Sequence, residues 1–207
     1  MKTSKQFTFH SLSDGLTFGV GELPAELRFT PGMFETLWQL QPVDSPTIRL
    51  HGRLVKIPRK QQAYGKDYHF SGQTSVALAL PDLLTPILAW VRNHIDNRLN
   101  GLLVNWYDGR LGHYIGKHRD SRVNIVHRAP IITISFGEER AFRLAPWRQR
   151  DRAAVDFSAR DGTVFIMPYE TNLAWTHSVP ASRLRSGRRI SVTFRAFVES
   201  EPATTKR

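Results

Sequence analysis

The chain has 207 residues, 41% hydrophobic and 23% charged, the balance of a soluble globular protein with enough apolar material for one well-buried domain. It carries 29 Lys and Arg against 18 Asp and Glu, a formal net charge of +11, and no cysteine. Disulfides, thiolate catalysis and Cys-type zinc sites are thereby excluded. No run approaches about 18 apolar residues, and the first ten residues lack the apolar core of a secretory signal, so a cytoplasmic location is expected, or a nuclear one in a eukaryote. The basic excess points to a polyanionic partner, nucleic acid first. A solvated basic surface, or one drawn to acidic lipid, is the alternative. The arginines cluster at Arg140, Arg143, Arg148, Arg150, Arg152 and Arg160, and again at Arg183, Arg185, Arg188 and Arg189.

Residues 6–20 read as two short strands about the turn Ser13-Asp14-Gly15. Thr30-Pro31 marks a helix start, with Phe34, Leu37 and Trp38 as its apolar stripe before Pro42. Residues 47–57 read as a strand or hairpin, and Pro58-Arg59-Lys60 leads into a polar loop ending at residues 68–72. Aromatics and cations interleave across this stretch, a mixture that suits base stacking with phosphate contact and equally an edge hairpin with half-buried aromatics. Thr85-Pro86 reads as cap and first position of a second helix, with Leu84, Leu88, Val91, Ile95 and Leu99 on one side and its end at Asn100-Gly101. Strands are expected at residues 130–137, 140–144, 155–158, 162–167, 173–177 and 187–197. Many short strands, mostly in the second half, indicate a barrel or double sheet after an amino-terminal α/β portion.

The chemistry concentrates in residues 105–120, NWYDGRLGHYIGKHRD. In a strand alternate side chains share a face, so Asn105 pairs with Tyr107 and His118 with Asp120. Residues 189–195 repeat the device, with Ile190, Val192 and Phe194 on one face and Arg189, Ser191, Thr193 and Arg195 on the other. A polar face inside a sheet needs an occupant to offset its desolvation; a metal and an anion would fit. His118, Asp120 and His177 make a set of two imidazoles and one carboxylate that leaves coordination positions open, as suits Fe(II) handling dioxygen. Zinc is a second option, and a structurally hydrogen-bonded histidine a third. Without a Gly-rich phosphate loop or an Asp-Phe-Gly, His118-Arg119-Asp120 does not mark a protein kinase. A guanidinium grips a carboxylate through two parallel hydrogen bonds, but Arg189 and Arg195 lie roughly 20 Å apart along an extended strand. Either strand curvature closes that gap or Arg195 orients the metal's carboxylate.

The ordered set Asn105-x-Tyr107, His118-x-Asp120, His177 and Arg189-Ile-Ser-Val-Thr-Phe-Arg195 resembles the AlkB-like Fe(II)/2-oxoglutarate dioxygenases. Upstream, residues 57–65 (IPRKQQAYG) and Tyr68-x-Phe70-Ser-Gly72 resemble the duplex-DNA-acting branch of that family. The resemblance covers residues 50–196. It implies an α+β, mainly β fold with a double-stranded β-helix (jelly-roll) core, a single domain over 1–207. Within it, about 1–100 would be an extension and nucleotide-recognition lid, about 101–198 the catalytic core and 199–207 a tail. It further implies Fe(II) on His118, Asp120 and His177, 2-oxoglutarate on Asn105, Tyr107, Arg189, Thr193 and Arg195, O2 as oxidant, and oxidative removal of N-methyl groups from bases. An extruded base would lie between Phe70 and His118 with Tyr68 at its edge; His51, Gly52, Arg53, Arg59, His69 and Ser121 complete the implied substrate contacts. His51 stands where duplex-acting members carry a phenylalanine wedge, and Ser121 and Arg122 stand where they carry two acidic residues. The expectation is a monomeric demethylase of DNA in preference to RNA, acting on N1-methyladenine and N3-methylcytosine. The alternatives are the same chemistry on RNA or a protein side chain, and a non-catalytic nucleic-acid-binding domain.

Overall fold

The computed structural model describes residues 7–50, 52–149 and 152–199. His51, Arg150 and residues 200–207 of the expected tail lie outside them. In chain order the elements are β1 (Phe7–Ser11), β2 (Thr17–Glu22), α1 (Pro31–Gln39), β3 (Thr47–Leu50), β4 (Arg53–Lys56), β5 (Lys60–Tyr64), β6 (Tyr68–Phe70), β7 (Gln73–Ser75) and α2 (Thr85–His94). There follow β8 (Gly101–Asp108), β9 (Ile115–His118), β10 (Ile131–Gly137), β11 (Arg140–Pro146), β12 (Val155–Ala159), β13 (Thr163–Met167), α3 (Tyr169–Ala174), β14 (Trp175–Val179) and β15 (Arg188–Arg195).

Two antiparallel sheets face each other, the jelly-roll arrangement. One has seven strands in the order β1-β2-β13-β10-β15-β8-β5 and the other four, β12-β11-β14-β9. The β3-β4 and β6-β7 hairpins stand apart as two-stranded sheets. The first hundred residues thus supply three of the seven strands of the large sheet as well as both hairpins.

Alternation along β8 and β15 divides the interior into two packed layers. Leu102, Val104 and Trp106, with Ile190, Val192 and Phe194, join Leu37 and Trp38 of α1 and Ile87, Trp90 and Val91 of α2 in one apolar cluster behind the large sheet. The Trp106 indole N–H donates to the Leu37 carbonyl at 2.9 Å, so even its polar atom is satisfied. Between the sheets, Phe18, Ile131, Phe142, Leu144, Phe165, Met167 and Trp175 form a second cluster.

Three elements depart from the sequence expectations. Residues 60–64 form strand β5, paired from Lys60↔Trp106 to Tyr64↔Leu102. A ladder along the edge of β8 satisfies their backbone, a signal that their mixed side chains do not carry. Helix α2 ends at His94, not at residue 100. There the Asp96 carboxylate accepts from the Arg98 backbone N–H at 3.0 Å and from its Nε at 2.9 Å, a local turn that competes with the helix. Leu84 takes the cap position that Thr85 was expected to fill. Residues 173–174 belong to α3, so the strand carrying His177 begins at Trp175.

Candidate metal centre and cosubstrate pocket

The inner faces of β8, β15, β9 and β14 open on a cavity of about 600 Å³ at one end of the sandwich. Register places the polar residues there: Ser191 lies opposite Asn105 and Arg189 opposite Tyr107, while His177 lies opposite His118. Two imidazoles far apart in sequence thereby become a directly facing cross-strand pair, with ring centroids 4.2 Å apart.

Asp120 follows β9 and completes the set. The Nε2 atoms of His118 and His177 each lie 3.5 Å from Asp120 Oδ1, and one ligand atom from each of the three residues lies within 4.8 Å of the others. Separations of 3.5 Å are long for hydrogen bonds and suit three donors converging on a shared cation. The supports are specific. His118 Nδ1 donates to the Gly116 carbonyl at 2.9 Å, which keeps its Nε2 lone pair for a ligand. Arg195 donates from Nε (3.1 Å) and Nη2 (2.5 Å) to Asp120 Oδ2, leaving Oδ1 for the cation. The Asn172 side chain pairs with the Asp120 backbone, accepting from its N–H at 3.0 Å and donating to its carbonyl at 3.3 Å.

The electrostatics hold the donors ready. Burial by itself would raise the Asp120 carboxyl, but Arg195 and the two imidazoles outweigh it and hold the group well below the usual carboxylate range. Burial, reinforced by His118, pushes His177 down to about 3, so its imidazole is neutral at pH 7. A carboxylate and a neutral imidazole are the forms that bind metal.

At the other end of β15, Arg189 is 1% exposed. Its Nε donates to Ser135 Oγ at 2.8 Å and its guanidinium carbon lies 5.1 Å from the Tyr107 ring centroid. Both Nη atoms are buried without a hydrogen-bond partner among the described residues. Burial pushes this guanidinium down to about 10. An unpaired buried cation is costly, and a carboxylate entering the cavity would satisfy both Nη atoms at once. The residues present therefore fit both a divalent cation and a dicarboxylate.

The cavity also gathers Asn105, Thr193, Arg59, Tyr68, Phe70 and Ser121. Arg59 is buried and donates to Asn105 Oδ1 at 2.9 Å and to Gln61 Oε1 at 3.2 Å. Thr193 meets Thr133 hydroxyl to hydroxyl at 3.3 Å. Tyr68 and Phe70 line the cavity, while His69 between them turns away to Thr74 at 2.8 Å. Gly52, with φ +80 at the tip of the β3-β4 hairpin, and Arg53 beside it are exposed and do not line the cavity. Three supporting residues escaped the sequence reading. Ser135 was findable as a polar position in the alternating strand of residues 131–137; Gln61 lay in a segment read as loop and Asn172 just before the strand expected at residues 173–177, and their partners were invisible there.

A family model described as the 2OG-Fe(II) oxygenase superfamily matches residues 34–195. The chain is 30% identical over 164 residues to the DNA oxidative demethylase ALKBH2 of Homo sapiens, covering 73% of this chain and 61% of that protein. It is 31% identical over 167 residues to the Mus musculus protein of that name, covering 74% and 68%, and 27% identical over 201 residues to that of Arabidopsis thaliana, covering 84% and 63%. The chain thus spans about three fifths of the length of the human relative. Among solved structures, OsALKBH1 superimposes with a TM-score of 0.56 at 14% identity, covering 91% of this chain and 99% of that one, a likeness of fold. Sequence pattern, fold and the His118, Asp120, His177 cluster agree, and the chain belongs to the 2OG-Fe(II) oxygenase superfamily as an AlkB-like member.

Proposed function

We propose that the protein demethylates N-methylated bases in DNA, N1-methyladenine and N3-methylcytosine among them, as an Fe(II)- and 2-oxoglutarate-dependent dioxygenase. The observation that carries this reading is one cavity holding both a convergent His-Asp-His set and a buried guanidinium with two unsatisfied Nη atoms. When bound, Fe(II) with 2-oxoglutarate and O2 supplies oxidative decarboxylation coupled to hydroxylation of an N-methyl carbon, and the hydroxymethyl group then leaves as formaldehyde beside the succinate product.

The chain's own residues do the rest. His118, Asp120 and His177 hold the metal, and Arg195 keeps one Asp120 oxygen turned away from it. Arg189 takes the far carboxylate of 2-oxoglutarate, oriented by Ser135, with Tyr107 along its flank and Asn105 and Thr193 beside it. An extruded base enters between Phe70 and His118, with Tyr68 at its edge and Arg59 behind Asn105. Ser121 accepts from the Val123 N–H at 3.2 Å and has a second lone pair to accept from the exocyclic amino group of the base. The β3-β4 hairpin, with Gly52 and Arg53 at its turn, contacts the duplex, a role shared by His51, their neighbour in sequence, and His69 belongs to the lid as part of β6. The functional unit is a monomer whose first hundred residues carry this lid and whose residues 101–198 carry the catalytic core. The DNA oxidative demethylase relatives support DNA as substrate.

The test is release of formaldehyde and succinate from N1-methyladenine and N3-methylcytosine oligonucleotides, as single- and double-stranded DNA and as RNA, with His118→Ala as blank. Release from DNA with no signal from the blank is expected. Consumption of 2-oxoglutarate without demethylation of DNA would leave the iron chemistry standing and move the substrate to RNA or protein. That second reading is favoured by Ser121 and Arg122, neither of them acidic, just after Asp120.

A further inference from the structure

Tyr68 is not one of the three metal donors, yet it touches the group that holds one of them. It is 5% exposed, and the Arg195 guanidinium carbon lies over its ring at 4.2 Å from the centroid. The Phe70 ring lies nearly parallel to it at 5.7 Å and 12°, and the Phe197 ring meets it edge-on at 6.5 Å and 80°. Arg195 gives Nε and Nη2 to Asp120, while Nη1 has only a long 3.5 Å contact with the Thr193 carbonyl. A desolvated guanidinium is held over an aromatic face by the ring quadrupole. The Tyr68 ring is therefore a principal restraint on the plane of Arg195.

We propose that Tyr68 is a positioning residue for the metal carboxylate, its ring fixing Arg195 so that Asp120 presents Oδ1 to the cation. The inference rests on the reading of His118, Asp120 and His177 as metal ligands. It deepens that reading because Phe70, Tyr68, Arg195 and Asp120 form one unbroken column from the β6-β7 hairpin to the metal site. A base packed against Phe70 presses on the same column that holds Asp120. Base binding and metal binding then strengthen or weaken each other by the same factor.

Co(II) serves as the probe, its binding followed by calorimetry and its visible absorption bands. Tyr68→Leu is expected to weaken Co(II) binding about tenfold, the scale of losing an outer support of a metal ligand, and to shift the bands. Tyr68→Phe keeps the ring and is expected to stay within about threefold of the wild type with unshifted bands. A Tyr68→Leu protein that is folded and matches the wild type in affinity and spectrum overturns the inference, as does a Tyr68→Phe loss equal to that of Tyr68→Leu. One observation needs no variant: in the wild-type protein the Arg195 Nε–H proton is expected to be shifted upfield by the ring, and an unshifted resonance overturns the stack. Wild-type protein that takes up no Co(II) sinks the metal-ligand reading and this inference together; uptake with an indifferent Tyr68→Leu sinks this inference alone.

Discussion

Strands β8 and β15 each have two faces, buried for opposite reasons. Behind the large sheet, Trp106, Val192 and Phe194 meet only apolar neighbours and one carbonyl, and their burial is favourable in itself. In front, Asn105, Arg189, Thr193 and Arg195 are nearly as inaccessible, but they stay buried because they hold one another or await a ligand. The first face stabilises the fold; the second stores unsatisfied polarity where chemistry is to occur. The comparison teaches that burial alone does not separate core from site, whereas the fate of each buried polar atom does.

The comparison breaks most visibly at Trp106. Replacing it with alanine removes a filled volume and the partner of the Leu37 carbonyl, and is expected to cost about 3–5 kcal/mol in denaturant unfolding. A loss under about 1 kcal/mol would mean that the two faces do not differ as described. Acid acts on the front face. His177 has its folded pKa depressed to about 3 against about 6.5 when unfolded. Its contribution is therefore complete above pH 6.5 and lost progressively as pH falls toward 3, because the unfolded chain takes up the proton first. Unfolding of the metal-free protein between pH 7 and 4 should show a decline on the order of 2–4 kcal/mol. His177→Phe should flatten most of it, with a residue from His113, which burial also depresses.

Arg189→Met sharpens the contrast further. Removing an unpaired buried cation should leave unfolding free energy unchanged or raise it by about 1 kcal/mol, while 2-oxoglutarate affinity measured by calorimetry falls at least about 100-fold. A stable variant with undiminished 2-oxoglutarate affinity would show that Arg189 is not the anion site. Asn172→Ala is the mildest change. It frees the Asp120 backbone and should lower divalent-metal affinity about tenfold, read by Mn(II) titration, with the fold intact by circular dichroism.

Much of the site is legible in the amino-acid sequence. The alternations at Asn105/Tyr107 and along Arg189 to Arg195 are properties of a strand, and a strand's period follows from the backbone alone, whereas Asp120 was expected on the strand of His118 and lies just past its end. The Ser13-Asp14-Gly15 turn and the α1 stripe read correctly because Gly, Asp and Pro punctuate locally, while the β6-β7 hairpin was read as part of a polar loop. The errors at β5 and at the end of α2 differ in cause, the first tertiary and the second local. Lys60 to Tyr64 become a strand only because β8 offers an edge, and α2 stops where Asp96 turns back on Arg98.

The amino-acid sequence determined which residue types could carry metal, anion and base, and on which side of each strand they lie, because those choices depend only on side-chain chemistry and the two-residue repeat. Tertiary structure decided how they combine. The roughly 20 Å between Arg189 and Arg195 along the strand left open whether they share one ligand. Folding gives Arg195 to Asp120 and leaves both Arg189 Nη atoms without a partner among the described residues. It also brings His177 across from His118, closes Asn172 on the Asp120 backbone and lays Tyr68 under Arg195. Each of these contacts joins residues more than 50 positions apart, and a distance of that kind is set by sheet register and packing, which no local pattern encodes.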